Sequence, residues 1–203
     1  MVALCTGEGG DVIPVALQAE PVDFVARVKA PGEAFLRVNR SPSSKDFTNA
    51  KADYWRRALP DMKIKYSSRC AYSAMPLIGD ASIDHFLPKV PYPTQAYSWA
   101  NYRLCLGRLN GKKGSDLTVL DPFVIQPNWF QLDLATLFVV PNPDAPAVII
   151  PRIQRTISIF DLNGSIMVTA RFDIYMAYLR NRDIQFLLDF YPFIAVEVVR
   201  QQA

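Results

Sequence analysis

The sequence predicts an α+β protein, in which short strands are combined with helices. The chain has 203 residues, of which 50% are hydrophobic and 20% are charged, so it is long enough to bury a sizeable core. Strand-like alternation occurs around residues 82–84 and 101–106, and apolar residues recur at helical spacing from residue 172 onwards. These patterns exclude a disordered chain and a fibrous one.

The counts of two residue types and the absence of long apolar runs narrow the class of protein further. A single histidine, His85, excludes every site that needs two, including the HExxH zinc proteases. Three cysteines cannot form a disulfide framework and are typical of a reducing compartment. No run reaches the roughly 18 apolar residues that span a bilayer, and no signal-peptide pattern opens the chain. We therefore expect a cytoplasmic protein without membrane contact.

Residues 1–60 are interpreted as an N-terminal arm that wraps around the rest of the protein. Short apolar runs alternate there with proline and glycine, and a loop rich in serine, proline and asparagine covers residues 39–49. The pattern beyond this loop predicts a short helix over residues 50–59 that ends at Pro60 and buries Trp55.

Residues 61–115 contain the most informative succession of elements. A short strand over residues 82–84 leads into His85 and is followed by a proline-rich loop, a second strand over residues 101–106 and a short helix over residues 107–113. This segment has 8 basic and 3 acidic side chains. A polyanion is the natural partner for such an excess, with scattered solvated lysines as the alternative.

Residues 116–203 are interpreted as a C-terminal packing and assembly region of strands and helices. Strand-like runs surround Phe130 and Phe138, and an aromatic stripe begins with Phe172 and Tyr175 at helical spacing. We expect this stripe to pack in the core. The region has 6 basic and 9 acidic side chains, a balance unsuited to binding DNA. The three segments are expected to form one compact domain.

The residues that carry chemistry cluster in the middle segment. Asp84 and His85 are followed by Asn101 and Asn110, within the segments Ile83-Asp-His-Phe-Leu-Pro-Lys89, residues 97–105 and Asn110-Gly-Lys-Lys113. Together these segments resemble the HNH endonucleases with a ββα-metal fold, in the variant with Asp-His and Asn at the first and last positions of the motif. The resemblance covers residues 70–115. More loosely, residues 120–123 and 155–163 are similar to a bacterial HNH group that accompanies ATPases in anti-phage defence.

The resemblance implies a role for each residue of the motif. His85 would be the general base that deprotonates water, Asp84 and Asn110 would hold one Mg²⁺ or Mn²⁺, and Asn101 would orient the imidazole. Phosphodiester hydrolysis needs such a base and a cation that neutralises developing charge. Two oxygen ligands completed by water suit Mg²⁺. We expect His85 to contribute chemistry and not core volume.

Two further expectations concern phosphate contacts and zinc. Five basic residues are candidate phosphate contacts, each with a solvated surface charge as the alternative: Lys89, Arg103, Arg108, Lys112 and Lys113. Relatives commonly bind a structural zinc through two Cys-x-x-Cys pairs, and at the corresponding places this chain has Cys70 with Ser73 and Cys105 with Arg108. Two thiolates do not close a tetrahedral site, so we expect no structural zinc.

The expected function is that of a metal-dependent endonuclease that cuts duplex DNA, as the nuclease component of an anti-phage defence system. Two alternatives stay open. One is a degenerate HNH core that binds nucleic acid or a protein partner without cutting, and the other is a toxin that cleaves RNA. For the C-terminal region, an ATPase subunit and a second copy of the chain are the partners considered.

Overall fold

The computed structural model describes residues 15–202, which form two compact units. The core unit contains residues 16–71 and 77–117, and the C-terminal unit contains residue 15 together with residues 72–76 and 118–202. Both combine helices with a two-stranded antiparallel sheet, which confirms the α+β class. The expected boundary after residue 115 lies beside the division at residue 117, whereas the one after residue 60 falls inside a helix.

The N-terminal half of the core unit is largely helical. A π-helical turn, Val25–Lys29, continues into α1 (Ala30–Val38), and α2 (Ser44–Asn49) follows after a short loop. A 3₁₀ turn, Tyr54–Ala58, then leads into α3 (Leu59–Lys65). Ser43 and Asp46 form a reciprocal capping box at the start of α2, which satisfies backbone donors that the helix leaves without partners. Phe24, Val28 and Phe47 are buried, so the described part of the expected arm contributes directly to a core.

The predicted helix over residues 50–59 is wrong in its position. Pro60 lies in the first turn of α3, where the missing N–H of proline has no intrahelical partner to lose and its fixed φ suits a helix. The proline therefore helps to begin the helix and does not end it. Trp55 is half-buried on the preceding 3₁₀ turn.

The second half of the core unit has the predicted order of strand, loop, strand and helix. Strands β1 (Ala81–His85) and β2 (Tyr102–Leu106) pair in antiparallel register, with Asp84 opposite Arg103 and His85 opposite Tyr102. Helix α4 (Gly107–Lys113) begins directly after β2. The loop between the strands contains two short 3₁₀ turns, Pro93–Gln95 and Trp99–Asn101.

The C-terminal unit combines a β-hairpin with four helices among its described residues. Strands β3 (Phe130–Asp133) and β4 (Phe138–Pro141) pair with each other. They are followed by α5 (Ile150–Ile159), α6 (Ser165–Asn181), α7 (Ile184–Phe190) and α8 (Pro192–Gln202). The buried guanidinium of Arg171 on α6 donates to the carbonyl oxygens of Leu137 and Leu162 at 2.8 and 2.7 Å, which fixes the hairpin turn against the helix.

The aromatic stripe that was expected to be core is buried only in part, since Leu187 on α7 is fully buried and Tyr175 on α6 is half-buried. Phe172 is 50% exposed, and Phe186 and Phe190 on α7 are 37% and 52% exposed. The face of α6 that is buried carries Met167, Arg171 and Tyr178 instead. Helical spacing indicates that apolar residues share a face, and it does not indicate how much of that face is covered by the rest of the unit.

Over residues 15–202, no helix combines the length and the apolar character needed to cross a bilayer.

The close approach of α1 to the loop before β2 generates the first prediction. A Cβ atom added to Gly32 would overlap the ring of Tyr97, whereas one added to Gly111 on α4 meets no atom within 4 Å beyond its chain neighbours and the backbone of its own helix. Gly32→Ala should therefore destabilise the protein by about 1–3 kcal/mol through overpacking, and Gly111→Ala should stabilise it by about 0.5–1 kcal/mol through helix propensity. Urea unfolding measures the difference in the free energy of unfolding between the two variants. Equal unfolding midpoints would contradict the close contact between Gly32 and Tyr97.

Candidate active site

An open pocket of about 890 Å³ in the core unit is lined by three of the four residues of the predicted motif, and Asn101 is not among them. Its lining includes Asp84 and His85 from the end of β1 and Asn110 from α4. Trp55 and Lys89 also line the pocket. Strand β1, helix α4 and the N-terminal helices therefore bring together residues that are up to 55 positions apart in the sequence.

His85 is buried at this pocket, with 8% of its surface exposed. Its Nε2 lies 2.9 Å from the carbonyl oxygen of Ala96. A carbonyl oxygen can only accept, so the neutral imidazole carries its proton on Nε2 and its lone pair on Nδ1. The ring also makes edge contacts with Trp55 and Tyr102, at centroid distances of 4.9 and 5.3 Å. The expectation that His85 adds nothing to core packing is therefore wrong.

The environment of His85 favours its neutral form. The pKa of the imidazole is lowered to about 4, mainly by burial and to a smaller extent by the charges of Lys89 and Lys113, while the hydrogen bond to Ala96 acts in the opposite direction. At neutral pH the side chain is therefore a free base with a fixed tautomer.

Asn101 fixes the loop that holds His85. Its Oδ1 accepts from the backbone N–H of Leu87 at 2.8 Å, and its Nδ2 donates to the carbonyl oxygens of Leu87 and Gln95, both at 3.0 Å. The next carbonyl, that of Ala96, accepts from His85. Asn101 therefore positions the imidazole through the backbone of the loop, and not by the direct contact that its expected role suggested.

Asp84 is paired with a lysine. The carboxylate is 2% exposed, and its Oδ1 accepts from Nζ of Lys113 at 3.2 Å. The same ammonium donates to the carbonyl oxygens of His85 and Phe86 at 3.1 Å each. Lys113 thus joins the end of α4 to the end of β1, and its spacing of three residues from Asn110 on one helix face is the sequence signal that could have revealed this.

Asn110 connects α4 to β1 at the other side of Asp84. Its Nδ2 donates to Ser82 Oγ at 2.8 Å and to the carbonyl oxygen of Ile83 at 3.2 Å. Because the carbonyl of Ile83 requires a donor, the amide orientation is determined. The remaining oxygen, Oδ1, is the atom that Asn110 can offer to a metal ion.

The five candidate phosphate contacts fall into two groups. Arg103 and Lys113 are 3% and 2% exposed, and Arg103 donates to the carbonyl oxygens of Ala100 and Tyr102 at 2.8 and 2.9 Å. These two expectations are corrected, because neither cation is placed to meet a phosphate from solvent. Lys89 and Arg108 are half-buried, and Lys112 is exposed.

Lys89 has the most specific environment of the accessible group. Its ammonium lies 5.4 Å from the ring centre of Trp55 and 5.9 Å from that of Phe47, distances at which a cation is attracted to an aromatic face. Burial lowers the pKa of Lys89, with the carboxylate of Asp84 opposing this effect. Trp55 and Phe47 were missed as site residues, since their sequence context predicts only core packing.

The two cysteines that the structure describes are buried thiols. Cys70 and Cys105 form no disulfide, and burial raises the pKa of Cys105 well above its ordinary value, which disfavours the thiolate that zinc requires. Across residues 15–202, no three His, Cys, Asp or Glu side chains form a cluster able to hold a metal. Cys5 lies outside the described residues, and the expected absence of structural zinc stays a prediction.

Asp84 and Asn110 nevertheless suit one hard divalent ion. Both line the same pocket and both offer oxygen, and Mg²⁺ is commonly held by one or two protein ligands together with water and substrate phosphates.

No family model matches the chain, and no protein of curated function is significantly similar to it.

The buried imidazole predicts how the stability of the metal-free protein depends on pH. In the unfolded chain His85 binds a proton below about pH 6.5, whereas in the folded chain it does so only near pH 4. The contribution of neutral His85 to the free energy of unfolding is therefore fully present above pH 6.5. It is lost as the pH falls towards 4, and the free energy of unfolding decreases by about 3 kcal/mol.

The measurement compares wild type with His85→Gln in EDTA by urea unfolding from pH 7 to pH 4. Glutamine keeps a donor for Ala96 but does not titrate, so the variant should lose less stability over this range. Parallel pH profiles for the two proteins would contradict the assignment.

Proposed function

We propose that the protein is a metal-dependent endonuclease of the HNH type that hydrolyses phosphodiester bonds in duplex DNA. The observation that carries the proposal is the arrangement at the pocket, where an imidazole of fixed tautomer adjoins two oxygen-bearing side chains, Asp84 and Asn110. A general base beside a pair of hard oxygen ligands is the minimum that metal-assisted hydrolysis of a phosphate ester requires.

In the proposed mechanism His85 removes the proton from the attacking water. The lone pair on Nδ1 accepts this proton, and the hydrogen bond from Nε2 to Ala96 stabilises the resulting imidazolium. Asn101 keeps Ala96 in place by holding Leu87 and Gln95. The base is therefore positioned before the substrate arrives, which lowers the entropic part of the barrier.

Asp84 and Asn110 are the residues that would hold Mg²⁺ or Mn²⁺. When bound, the ion supplies neutralisation of charge on the phosphate and on the leaving oxygen. Lys89, held at the pocket wall by aromatic rings, adds a fixed positive charge to which a phosphate oxygen can bind.

The biological role in this proposal is that of a nuclease component in anti-phage defence. It rests on the looser similarity of residues 120–123 and 155–163 to the HNH group that accompanies ATPases. In the same proposal, the exposed aromatic residues of α6 and α7 offer a surface for an ATPase or for a second copy of the chain.

Plasmid nicking tests the catalytic proposal. The wild-type protein should relax supercoiled plasmid with Mg²⁺ or Mn²⁺ and not with EDTA, and His85→Gln should be slower by about 10²–10⁴-fold, the usual contribution of a general base. Lys29→Gln, an exposed change on the π-helical turn, serves as the matched preparation control and should cut at the wild-type rate.

Parallel substrates separate the proposal from its two alternatives. Preferential cleavage of tRNA or of single strands would show that duplex DNA is not the preferred substrate. Binding of DNA without cleavage under any divalent metal would overturn the enzyme assignment in favour of a binding protein.

The placement of the basic residues predicts the salt dependence of DNA binding. Only Lys89, Arg108 and Lys112 remain as accessible phosphate contacts, and each should contribute about 0.9 to the slope of log K against log salt. Lys112→Gln should therefore lower the slope by about one and weaken binding to all sequences alike. Fluorescence anisotropy with the catalytically impaired His85→Gln protein measures this, and Lys29→Gln should leave the slope unchanged. An unaltered slope in the Lys112 variant would remove that residue from the interface.

A further inference from the structure

The proposed mechanism leaves one buried charge of the site without a use. Lys113 Nζ has three donors, and they are taken by Asp84 Oδ1, the carbonyl oxygen of His85 and that of Phe86. The side chains of Lys113 and Asp84 are 0% and 2% exposed. The positively charged ammonium of Lys113 thus lies against the carboxylate that would hold the divalent ion.

This position is unfavourable for a second cation. An ion bound by Asp84 would share the carboxylate with an ammonium that solvent does not screen, and charges repel more strongly inside a protein than in water. Lys113 cannot move away without leaving two backbone carbonyls unsatisfied, which is costly for buried groups. The lysine therefore competes with the metal and stays in place while it does so.

The other charged groups at the pocket do not offset this repulsion. The lining contains two acidic residues, Asp80 and Asp84, and two basic residues, Arg56 and Lys89, while His85 is neutral. Lys113 adds a further positive charge through its bond to Asp84, so the set carries a net charge of +1. A phosphodiester brings one negative charge and additional oxygen ligands, and both favour a divalent ion.

We propose that Lys113 is a positioning residue that occupies Asp84 and thereby weakens metal binding, so that the divalent ion binds tightly only together with a phosphodiester. The inference rests on the proposed function, because it concerns the metal site of that reaction. In this proposal the substrate is part of the metal site. The free protein holds Asp84 in position with the ammonium of Lys113, and the divalent ion binds together with the DNA.

Mn²⁺ binding to the full chain, measured by titration calorimetry without DNA, provides the first test. Lys113→Met should bind Mn²⁺ at least tenfold more tightly than wild type, because the competing charge is removed. Lys112→Met makes the same change of charge one residue away, at an exposed position of the same helix, and should leave the affinity unchanged. An equal or weaker affinity in the Lys113 variant would overturn the inference.

The second test adds a short DNA duplex to the His85→Gln protein, in which cleavage is suppressed. The duplex should tighten Mn²⁺ binding at least tenfold. Equal affinities with and without the duplex would contradict the coupling between metal and phosphodiester.

A folding control keeps the first test decisive, since Lys113→Met leaves a buried carboxylate unpaired. Asp84→Asn combined with Lys113→Met removes both charges, and this double variant should fold without showing a response to Mn²⁺. If Lys113→Met alone folds poorly, Mn²⁺ should raise its melting temperature more than that of wild type. The absence of such a rise would count against the inference.

Plasmid nicking by the wild-type protein distinguishes the two proposals. Nicking together with an unchanged Mn²⁺ affinity in Lys113→Met would overturn the inference and leave the nuclease proposal intact. A gain of affinity in Lys113→Met without nicking by wild type under any metal would overturn the nuclease proposal and support the competition at Asp84.

Discussion

The core unit depends on the three hydrogen bonds made by the side-chain amide of Asn101. They join Leu87, which lies just after β1, to Gln95, which lies in the middle of the loop between β1 and β2. The loop is thereby closed on itself. The carbonyl oxygen of the next residue, Ala96, then accepts from both His85 and the hydroxyl of Tyr102. A single buried amide therefore determines the direction of the imidazole, because it fixes the loop whose Ala96 carbonyl oxygen accepts from Nε2 of His85.

The N-terminal helices supply what a small two-stranded sheet lacks, namely an apolar surface to pack against. The aromatic rings of Phe47 and Trp55 meet Tyr97 at centroid distances of 6.4 and 6.0 Å, and the hydroxyl of Tyr97 donates to the carbonyl oxygen of Ala52 at 2.7 Å. The loop is thus fixed by aromatic packing on Tyr97 and by the hydrogen bonds of the Asn101 side chain. Burial of aromatic side chains contributes substantially to cores of this size, and here the ring of Trp55 also lines the pocket.

The sequence predicts the local part of this structure well and the long-range part poorly. Alternation and turn residues locate β1, β2 and α4 almost to the residue, because these patterns reflect the period of each element. The motif brings Asp84, His85 and Asn110 to one pocket for the same reason. The pairing of Lys113 with Asp84 joins residues 29 positions apart, and a lysine in sequence gives no sign of burial. Periodicity likewise cannot state which face of α6 is covered, so Phe172 was assigned to the core and lies at the surface.

The closed loop has a consequence for how the chain can vary in length. Between Gln95 and Asn101 successive backbone hydrogen bonds follow one another, from Ser98 to Gln95 and from Asn101 to Ser98, so one added residue would turn the carbonyl of Ala96 away from the imidazole. Val90 and Tyr92, 41% and 40% exposed, lie on the outer bend before this stretch. Insertions and deletions in the course of evolution should therefore be tolerated at residues 90–92 and rejected at residues 95–101, which makes the inner half of the loop a fixed spacer between the strands.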